Sequence, residues 1–273
     1  MSLTWARVRR VLAGTAIGLS LAFVVVVAGL YYAQRSLIFP TPQHFAVIPD
    51  GYSAVSFPTA DGLTLSAAWR PPALGRPVVL FFHGNGDSWT GAAAANRTLA
   101  EAGYGLLLVE YRGYGENPGE PSEDGLYADA RGAFGWLTGK GIAPERIAVV
   151  GNSIGSGPAT ELARKVPVGA LVLVSPFASL PEVITEKFPW LPGRWLVRDR
   201  FDNLAKLGAV SAPVLLLHGT ADSMIPDAHS RRLAAAAPRA KLVLVPGADH
   251  DLAYGDAAQQ IELGWLQGVF GRP

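Results

Sequence analysis

The segment Gly151-Asn152-Ser153-Ile154-Gly155 is the most informative part of the sequence, because it places a serine between two glycines where a strand is predicted to meet a helix. An apolar run at 146–150 precedes it, and a helical pattern over 154–165 follows it. This arrangement is typical of a nucleophile elbow, in which the serine occupies a strained tight turn beside residues without side-chain bulk. The hydroxyl then lies at a helix N-terminus, where the helix dipole favours developing negative charge. The sequence therefore predicts Ser153 as a catalytic nucleophile.

Short apolar runs alternate with helical patterns on both sides of this stretch. Strands are predicted at 78–82, 105–110, 146–150, 170–174, 214–217 and 242–245, and helices at about 90–102, 122–138, 154–165, 228–237 and 256–270. Strands that are apolar throughout and alternate with helices indicate an α/β fold, with a mostly parallel central sheet covered by helices on both faces. Upstream, the runs 52–57 and 63–69 flank Asp61-Gly62, which predicts a β-hairpin.

The segment from about 176 to 207 interrupts this alternation. It is rich in aromatic residues, prolines and glycines. Such a segment is either a small cap inserted over the ends of the strands or a long packed connection, and both interpretations stay open at this point.

A serine hydroxyl needs a base to take its proton, and histidine is the usual base. His250 follows the last predicted strand and precedes the C-terminal helix, which is where an elbow fold places its base. The orienting acid should follow the preceding strand, 214–217, and Asp222 is the candidate there. Asp227, from the same loop, is the alternative acid.

The other four histidines have weaker claims to this role. His44 and His229 are predicted to be surface residues. His83 and His218 each precede a glycine at the end of a strand, and we expect them to shape loops through hydrogen bonds.

An oxyanion hole needs two preorganised N–H donors. One is expected from the backbone of Ile154, directly after the nucleophile. The other is expected from the loop that follows strand 78–82, where Asn85 is the candidate for its backbone N–H.

The N-terminal segment reads as a membrane anchor. Residues 11–33 carry no charge, and a helix of that length spans about 34 Å, enough to cross about 30 Å of hydrocarbon. A cleaved signal peptide is the main alternative, although its apolar region is usually shorter. A buried or interfacial helix is a third interpretation. We expect an anchor at 1–33, a linker at 34–50 and a hydrolase domain at 51–273.

Basic residues set the expected orientation of the anchor. Arg7, Arg9 and Arg10 precede the span, whereas only Arg35 follows it closely. The positive-inside rule then places the N-terminus in the cytoplasm and the body on the outer side of the membrane, periplasmic or extracellular.

Composition excludes some function classes. The formal net charge changes from +1 to −2 when the three N-terminal arginines are left out, so the body offers no electrostatic case for nucleic-acid binding. The chain has no cysteine, which excludes disulfides, a cysteine nucleophile and thiolate metal sites.

Four motifs together resemble one family. They are Phe81-Phe82-His83-Gly84-Asn85-Gly86, Tyr111-Arg112-Gly113-Tyr114-Gly115, Gly151-Asn152-Ser153-Ile154-Gly155-Ser156-Gly157 and His218-Gly219-Thr220-Ala221-Asp222. Over about residues 31 to 270 the chain resembles the membrane-anchored Bem46-like α/β-hydrolases, close to the serine-aminopeptidase-like hydrolases. The resemblance implies an α/β-hydrolase fold, a Ser153–Asp222–His250 triad, and neither a metal nor an organic cofactor. It implies no particular substrate.

The chain departs from this family's pattern at two positions. Glu110 stands where aspartate is usual, and an altered loop contact is expected from it. Pro158 lies early in the helix after the elbow, where it removes one N–H and could tilt the first turn near Ile154.

These features predict a serine hydrolase that cleaves ester or thioester bonds of small or medium acyl substrates. The expected partners are a small acyl substrate and the membrane. An amidase or aminopeptidase would need a carboxylate to hold an amine, for which Glu182 or Glu186 are candidates. A lipid deacylase is the next alternative, and a catalytically inactive membrane-tethered binding protein is the alternative from another class.

Overall fold

The computed structural model describes residues 2–41 and 47–271, and its centre is an eight-stranded sheet. The strands are β1 (Ser53–Pro58), β2 (Thr64–Arg70), β3 (Val78–Phe82), β4 (Gly105–Val109), β5 (Ile147–Asn152), β6 (Ala170–Val174), β7 (Val214–Gly219) and β8 (Lys241–Val245). They lie in the order β1-β2-β4-β3-β5-β6-β7-β8. The β1–β2 hairpin and the β2–β4 pair are antiparallel, and every other pair is parallel. The predicted mostly parallel sheet is confirmed.

Helices connect and cover these strands. They are α1 (Ser2–Ile38), α2 (Trp89–Ala95), α3 (Arg97–Glu101), α4 (Glu123–Gly139), α5 (Ser156–Lys165), α6 (Leu180–Lys187), α7 (Gly193–Leu196), α8 (Asn203–Leu207), α9 (Ala228–Ala236) and α10 (Asp256–Phe270). The single helix predicted over 90–102 is divided between α2 and α3. At the division, the Asn96 side chain donates to the carbonyl of Ala92 at 2.8 Å and the Asn96 backbone leaves helical geometry.

The core has two layers, one on each face of the sheet. Alternate residues of β3 point into different layers, because successive side chains of a strand lie on opposite faces. Val78, Leu80 and Phe82 belong to one layer, whereas Val79 and Phe81 belong to the other. Helices α4, α5 and α9 cover the first layer and α2, α3 and α10 the second, through Leu126, Leu162, Leu233, Ala92, Leu99 and Leu266. Because β3 to β7 are buried on both faces, their sequences do not alternate between apolar and polar residues.

Helix α1 runs further than the predicted anchor. It includes residues 34–38, which the sequence assigned to a linker, and so that part of the prediction is wrong. Nothing in the sequence breaks the helix until Pro40, whose ring disfavours helical geometry at Phe39. Its apolar window has a mean hydropathy of 2.5, and by length and composition the helix could span a membrane. His44 lies outside the described residues.

Helix α10 carries a buried carboxyl group that the site does not use. Glu262 is 5% exposed, and its Oε1 atom has no hydrogen-bond partner within residues 2–41 and 47–271. Burial disfavours the charged form and raises the pKa of Glu262 to about 8. Between its unfolded pKa of ~4.3 and its folded pKa of about 8, the folded state therefore binds more protons than the unfolded state. The contribution of this group to stability must fall as pH rises through that window.

Glu262→Gln is expected to stabilise the protein at pH 8 or above by a few kcal/mol relative to wild type, and much less at pH 4.5. The amide carries no charge to desolvate, so the pH-dependent penalty disappears. Thermal unfolding midpoints at several pH values measure the effect, with exposed Glu120→Gln as the control. If the difference in unfolding midpoint between wild type and Glu262→Gln were the same at every pH, the prediction would be wrong.

Candidate active site

Ser153 lies in the tight turn between β5 and α5, as the sequence predicts. Its φ of 53° is in the left-handed region, which a serine adopts at an energetic cost. The flanking glycines are required by space: a Cβ on Gly151 would lie 2.4 Å from the carbonyl oxygen of Gly155, and one on Gly155 would lie 2.2 Å from that of Phe82. Because the obstructing atoms belong to the backbone, they cannot move aside cheaply. The packing of the turn on β3 therefore fixes where the Ser153 hydroxyl points.

The structure brings Ser153, His250 and Asp222 into one hydrogen-bonded line. Ser153 Oγ lies 2.9 Å from His250 Nε2, and His250 Nδ1 lies 2.9 Å from Asp222 Oδ2. His250 follows β8 and Asp222 follows β7, so both reach the serine from the carboxyl end of the sheet. An ionised Asp222 carboxylate can only accept a hydrogen bond, so His250 Nδ1 carries the proton and donates it to Asp222 Oδ2. His250 Nε2 is then free to accept a proton from the serine.

The side chain of Asp222 is fully buried and well supplied with donors. Its Oδ1 atom accepts from the N–H groups of Met224 at 2.9 Å and Ile225 at 2.7 Å, and His218 Nε2 lies 3.3 Å from Oδ2. Burial alone would raise the pKa of Asp222, but the hydrogen bonds from His218, His250 and the Ile225 N–H outweigh it and lower the pKa. Asp222 is therefore an ionised acceptor that holds one orientation of His250.

The other acids of these loops contact different partners. Asp227, the alternative candidate, pairs with Arg231 at 2.9 Å on its own helix. Asp249 accepts from the Ser223 N–H at 2.7 Å and from the His250 N–H at 2.7 Å. Asp249 thus ties the loop of His250 to that of Asp222, a bracing contact that the sequence did not reveal.

Asn85 and Ile154 line the same cavity as Ser153. Asn85 lies in the turn after β3, and its Oδ1 atom accepts from the Tyr114 hydroxyl at 2.9 Å. The Tyr111 hydroxyl donates to the carbonyl of His83 at 2.8 Å. Two tyrosines therefore hold the loop that presents Asn85.

His83 supports this loop from beneath and is completely buried. Its Nδ1 lies 2.7 Å from the carbonyl oxygen of Gly84, and its Nε2 lies 3.1 Å from Glu110 Oε1. Burial alone would lower the pKa of His83. The hydrogen bond to Glu110, the negative charge of Glu110 and the hydrogen bond to the Gly84 carbonyl outweigh burial, so the pKa of His83 is raised. Glu110, the residue that departs from the family pattern, thus still places a carboxylate within hydrogen-bond distance of His83. His83 supports the loop through hydrogen bonds, as expected.

Pro158, the other departure, causes no break in α5. It is the third residue of that helix, where the first four N–H groups have no intrahelical partner in any case. Ser153 still lies 2.9 Å from His250 Nε2, so Pro158 does not prevent this contact.

An apolar cavity of about 610 Å³ extends from Ser153. Residues 180–197, which include α6 and α7, form one side of it, and the end of α1 forms the other. Phe201 and Leu207 instead lie in the core. The segment 176–207, which we call the cap segment, is therefore part cap and part packed connection. Nothing in the sequence indicated that α1 would line the cavity.

No charged side chain lines the described part of this cavity. Its lining residues with polar side-chain atoms are Tyr31, Gln34, Asn85, Ser153 and Trp190. Glu182 pairs with Arg232, and Glu186 lies 3.0 Å from His229 Nε2. Neither carboxylate is placed to hold an amine at Ser153. His229 is buried, so its prediction as a surface residue is wrong: its Nδ1 accepts from the Ala178 N–H at 3.1 Å, a contact across 51 residues of sequence.

Comparison with known proteins supports this architecture. The family model described as the alpha/beta hydrolase fold matches residues 77–209, and a model described as TAP-like protein matches residues 194–266. An uncharacterized protein of Mycobacterium tuberculosis is 41% identical over 235 residues, which cover 83% of each chain. The Danio rerio lysophosphatidylserine lipase ABHD12 is 32% identical over 177 residues, 58% of this chain and 46% of the lipase.

Among solved structures, an esterase from Pyrococcus furiosus superposes with a TM-score of 0.66 at 21% identity. The match covers 85% of this chain and 97% of the esterase. At that identity the likeness shows the fold alone, and it confirms the α/β-hydrolase fold predicted from the motifs.

Proposed function

The chain belongs to the α/β-hydrolase superfamily, and on that premise we propose that it is a serine esterase, which hydrolyses ester or thioester bonds through an acyl-enzyme at Ser153. The observation that carries the proposal is the hydrogen-bonded line from Ser153 through His250 to buried Asp222, at the end of an apolar cavity. That arrangement activates a serine and binds an apolar acyl group.

Attack begins when Ser153 Oγ adds to the carbonyl carbon and its proton passes to His250 Nε2. Asp222 stabilises the imidazolium that results. The N–H groups of Asn85 and Ile154 stabilise the negative charge on the tetrahedral oxygen. His250 then returns the proton to the leaving alcohol or thiol, and the acyl group stays on Ser153.

Deacylation repeats these steps with water. His250 accepts a proton as the water attacks the acyl carbon, and it returns that proton to Ser153 Oγ as the carboxylic acid leaves.

The apolar lining favours an ester over an amine-bearing substrate. Among residues 2–41 and 47–271, no carboxylate of the kind that an aminopeptidase would need lines the cavity, and Glu182 and Glu186 are already paired elsewhere. Acyl groups of small or medium length fit within about 610 Å³. The lipase activity in the name of the Danio rerio relative supports hydrolysis of an acyl ester.

Membrane attachment through α1 is the second part of the proposal. The N-terminus would lie in the cytoplasm and the hydrolase domain on the outer side, because Arg7, Arg9 and Arg10 precede the apolar span and Arg35 alone follows it closely. Because the chain has no cysteine, a single cysteine at exposed Ser56 (Ser56→Cys) reports on which side of the membrane the hydrolase domain lies. A membrane-impermeant maleimide should label this cysteine while the cytoplasmic membrane is intact. Labelling only after disruption would reverse the orientation.

The test of the serine mechanism is covalent labelling of the full chain by a fluorophosphonate, followed by mapping of the modified peptide by mass spectrometry. We expect one label per chain, on Ser153, with loss of esterase activity in proportion to labelling. A folded protein that takes no label, or takes it elsewhere, would favour the inactive binding protein over the esterase.

A further inference from the structure

Helix α1 packs against the catalytic domain through specific hydrogen bonds, in addition to its proposed role as an anchor. Gln34 Oε1 accepts from the Arg198 N–H at 2.8 Å, and Gln34 Nε2 donates to the carbonyl of Leu196 at 3.3 Å. Arg35 makes two hydrogen bonds with the carboxylate of Asp199, at 3.0 and 3.2 Å. Asp199 is itself buried. These contacts join the end of the helix to the cap segment across more than 160 residues of sequence.

The catalytic cavity reaches deep along this helix. Val26, Leu30 and Tyr31 line it together with Leu37 and Ile38. Val26 precedes Ala33, the last residue of the uncharged span, by seven positions, which is about 10 Å at ~1.5 Å per residue. The far end of the cavity therefore lies level with the hydrocarbon layer, while Ser153 lies at its other end.

The cap segment presents apolar side chains to the same side. Phe188 and Trp190 line the cavity, yet Trp190 is 54% exposed, and nearby Trp195 is 86% exposed. Large exposed aromatic residues beside a membrane helix are typical of the membrane–water interface. Continuity with α1 identifies lipid as the material that covers this surface.

We propose that α1 completes the acyl-binding site, and that the acyl chain of a membrane lipid ester enters it sideways from the bilayer, between α1 and the cap segment. This inference rests on the proposed function, because it needs Ser153 to attack the ester. It extends the accepted acyl groups from small and medium chains to the longer chains of membrane lipids. The lipid head group stays at the water side of the interface.

Lateral entry has a physical advantage over entry through water. Each methylene of an acyl chain lowers the equilibrium concentration of the free lipid in water about fourfold relative to the bilayer, the equivalent of about 0.8 kcal/mol. A long chain that passes directly from the hydrocarbon layer into an apolar cavity does not have to cross water, so it avoids this decrease for every methylene. Residues of α1, rather than only the cap segment, then determine which chain lengths the enzyme accepts.

The test compares two neighbouring valines of α1 in the full chain, reconstituted in phosphatidylcholine vesicles. Both valines are exposed, Val26 at 50% and Val25 at 69%, but Val26 lines the cavity and Val25 does not. We expect Val26→Trp to lower the ratio of p-nitrophenyl palmitate to p-nitrophenyl butyrate hydrolysis at least tenfold, because the indole fills the far end of the cavity. Val25→Trp should leave that ratio at the wild-type value.

The butyrate rate measures folded, active protein in the same sample. An unchanged ratio in Val26→Trp, or an equal fall in Val25→Trp, would overturn the role of α1. Wild-type protein that hydrolyses neither ester would overturn the proposed function itself, and this inference with it.

Discussion

Ser153→Ala is expected to lower kcat/KM for a short-chain ester by about 10⁵- to 10⁶-fold. The alanine has no oxygen to form the acyl-enzyme, so only binding and the oxyanion donors remain to assist direct attack by water. Initial rates of p-nitrophenyl butyrate hydrolysis by the full chain in detergent measure the loss, and circular dichroism verifies the fold.

Ser56→Ala is the matched control, because Ser56 is an exposed serine of β1 on the antiparallel edge of the sheet. Its rate should equal that of wild type. Ser153→Ala protein that kept more than about a hundredth of the wild-type rate would show that another residue supplies the nucleophile.

Asp222→Asn is expected to lower kcat/KM by about 10⁴-fold with little change in substrate binding. The amide nitrogen can donate to His250 Nδ1, which moves the ring proton to Nε2 and removes the acceptor that Ser153 needs. The hydrogen bonds to Asp222 keep its pKa low. We therefore expect the wild-type carboxylate to be ionised throughout pH 6 to 9, and the loss to persist across that range.

The control for this variant is Asp227→Asn, from the alternative acid of the same loop. Asp227 pairs with Arg231 and does not contact His250, so its amide should retain nearly full activity. Reversed outcomes for the two variants would transfer the orienting role to Asp227.

Most of the fold could be predicted because its signals are local. The six parallel strands are short apolar runs, and for five of them, β3 to β7, the run reflects burial of the strand on both faces. The edge strand β8 is only partly buried. The hairpin follows from Asp61-Gly62, since Gly62 adopts a φ of 88° that other residues rarely adopt. Chain order alone suggested His250 and Asp222, because the fold places base and acid on the loops after its last strands.

Other features depended on contacts between distant parts of the chain. The buried position of His229 comes from Ala178 and Glu186, and the bracing by Asp249 comes from Ser223. The prediction of a linker from residue 34 failed for the same reason. Polar Gln34 and Arg35 look like the end of a span, yet their partners in the cap segment keep that part of the helix folded against the domain.

The parallel sheet and the turn that presents Ser153 could be predicted from the amino-acid sequence, and so could the candidate partners of Ser153. Periodicity and the glycines of the turn are properties of neighbouring residues, and these can be read without a structure. The position of α1 as a wall of the cavity could be recognised only in the folded chain. A helix that faces lipid and a helix that lines an apolar pocket carry similar side chains, so hydrophobicity cannot distinguish these two environments. Which of them α1 occupies depends on packing between residues more than 160 positions apart in sequence.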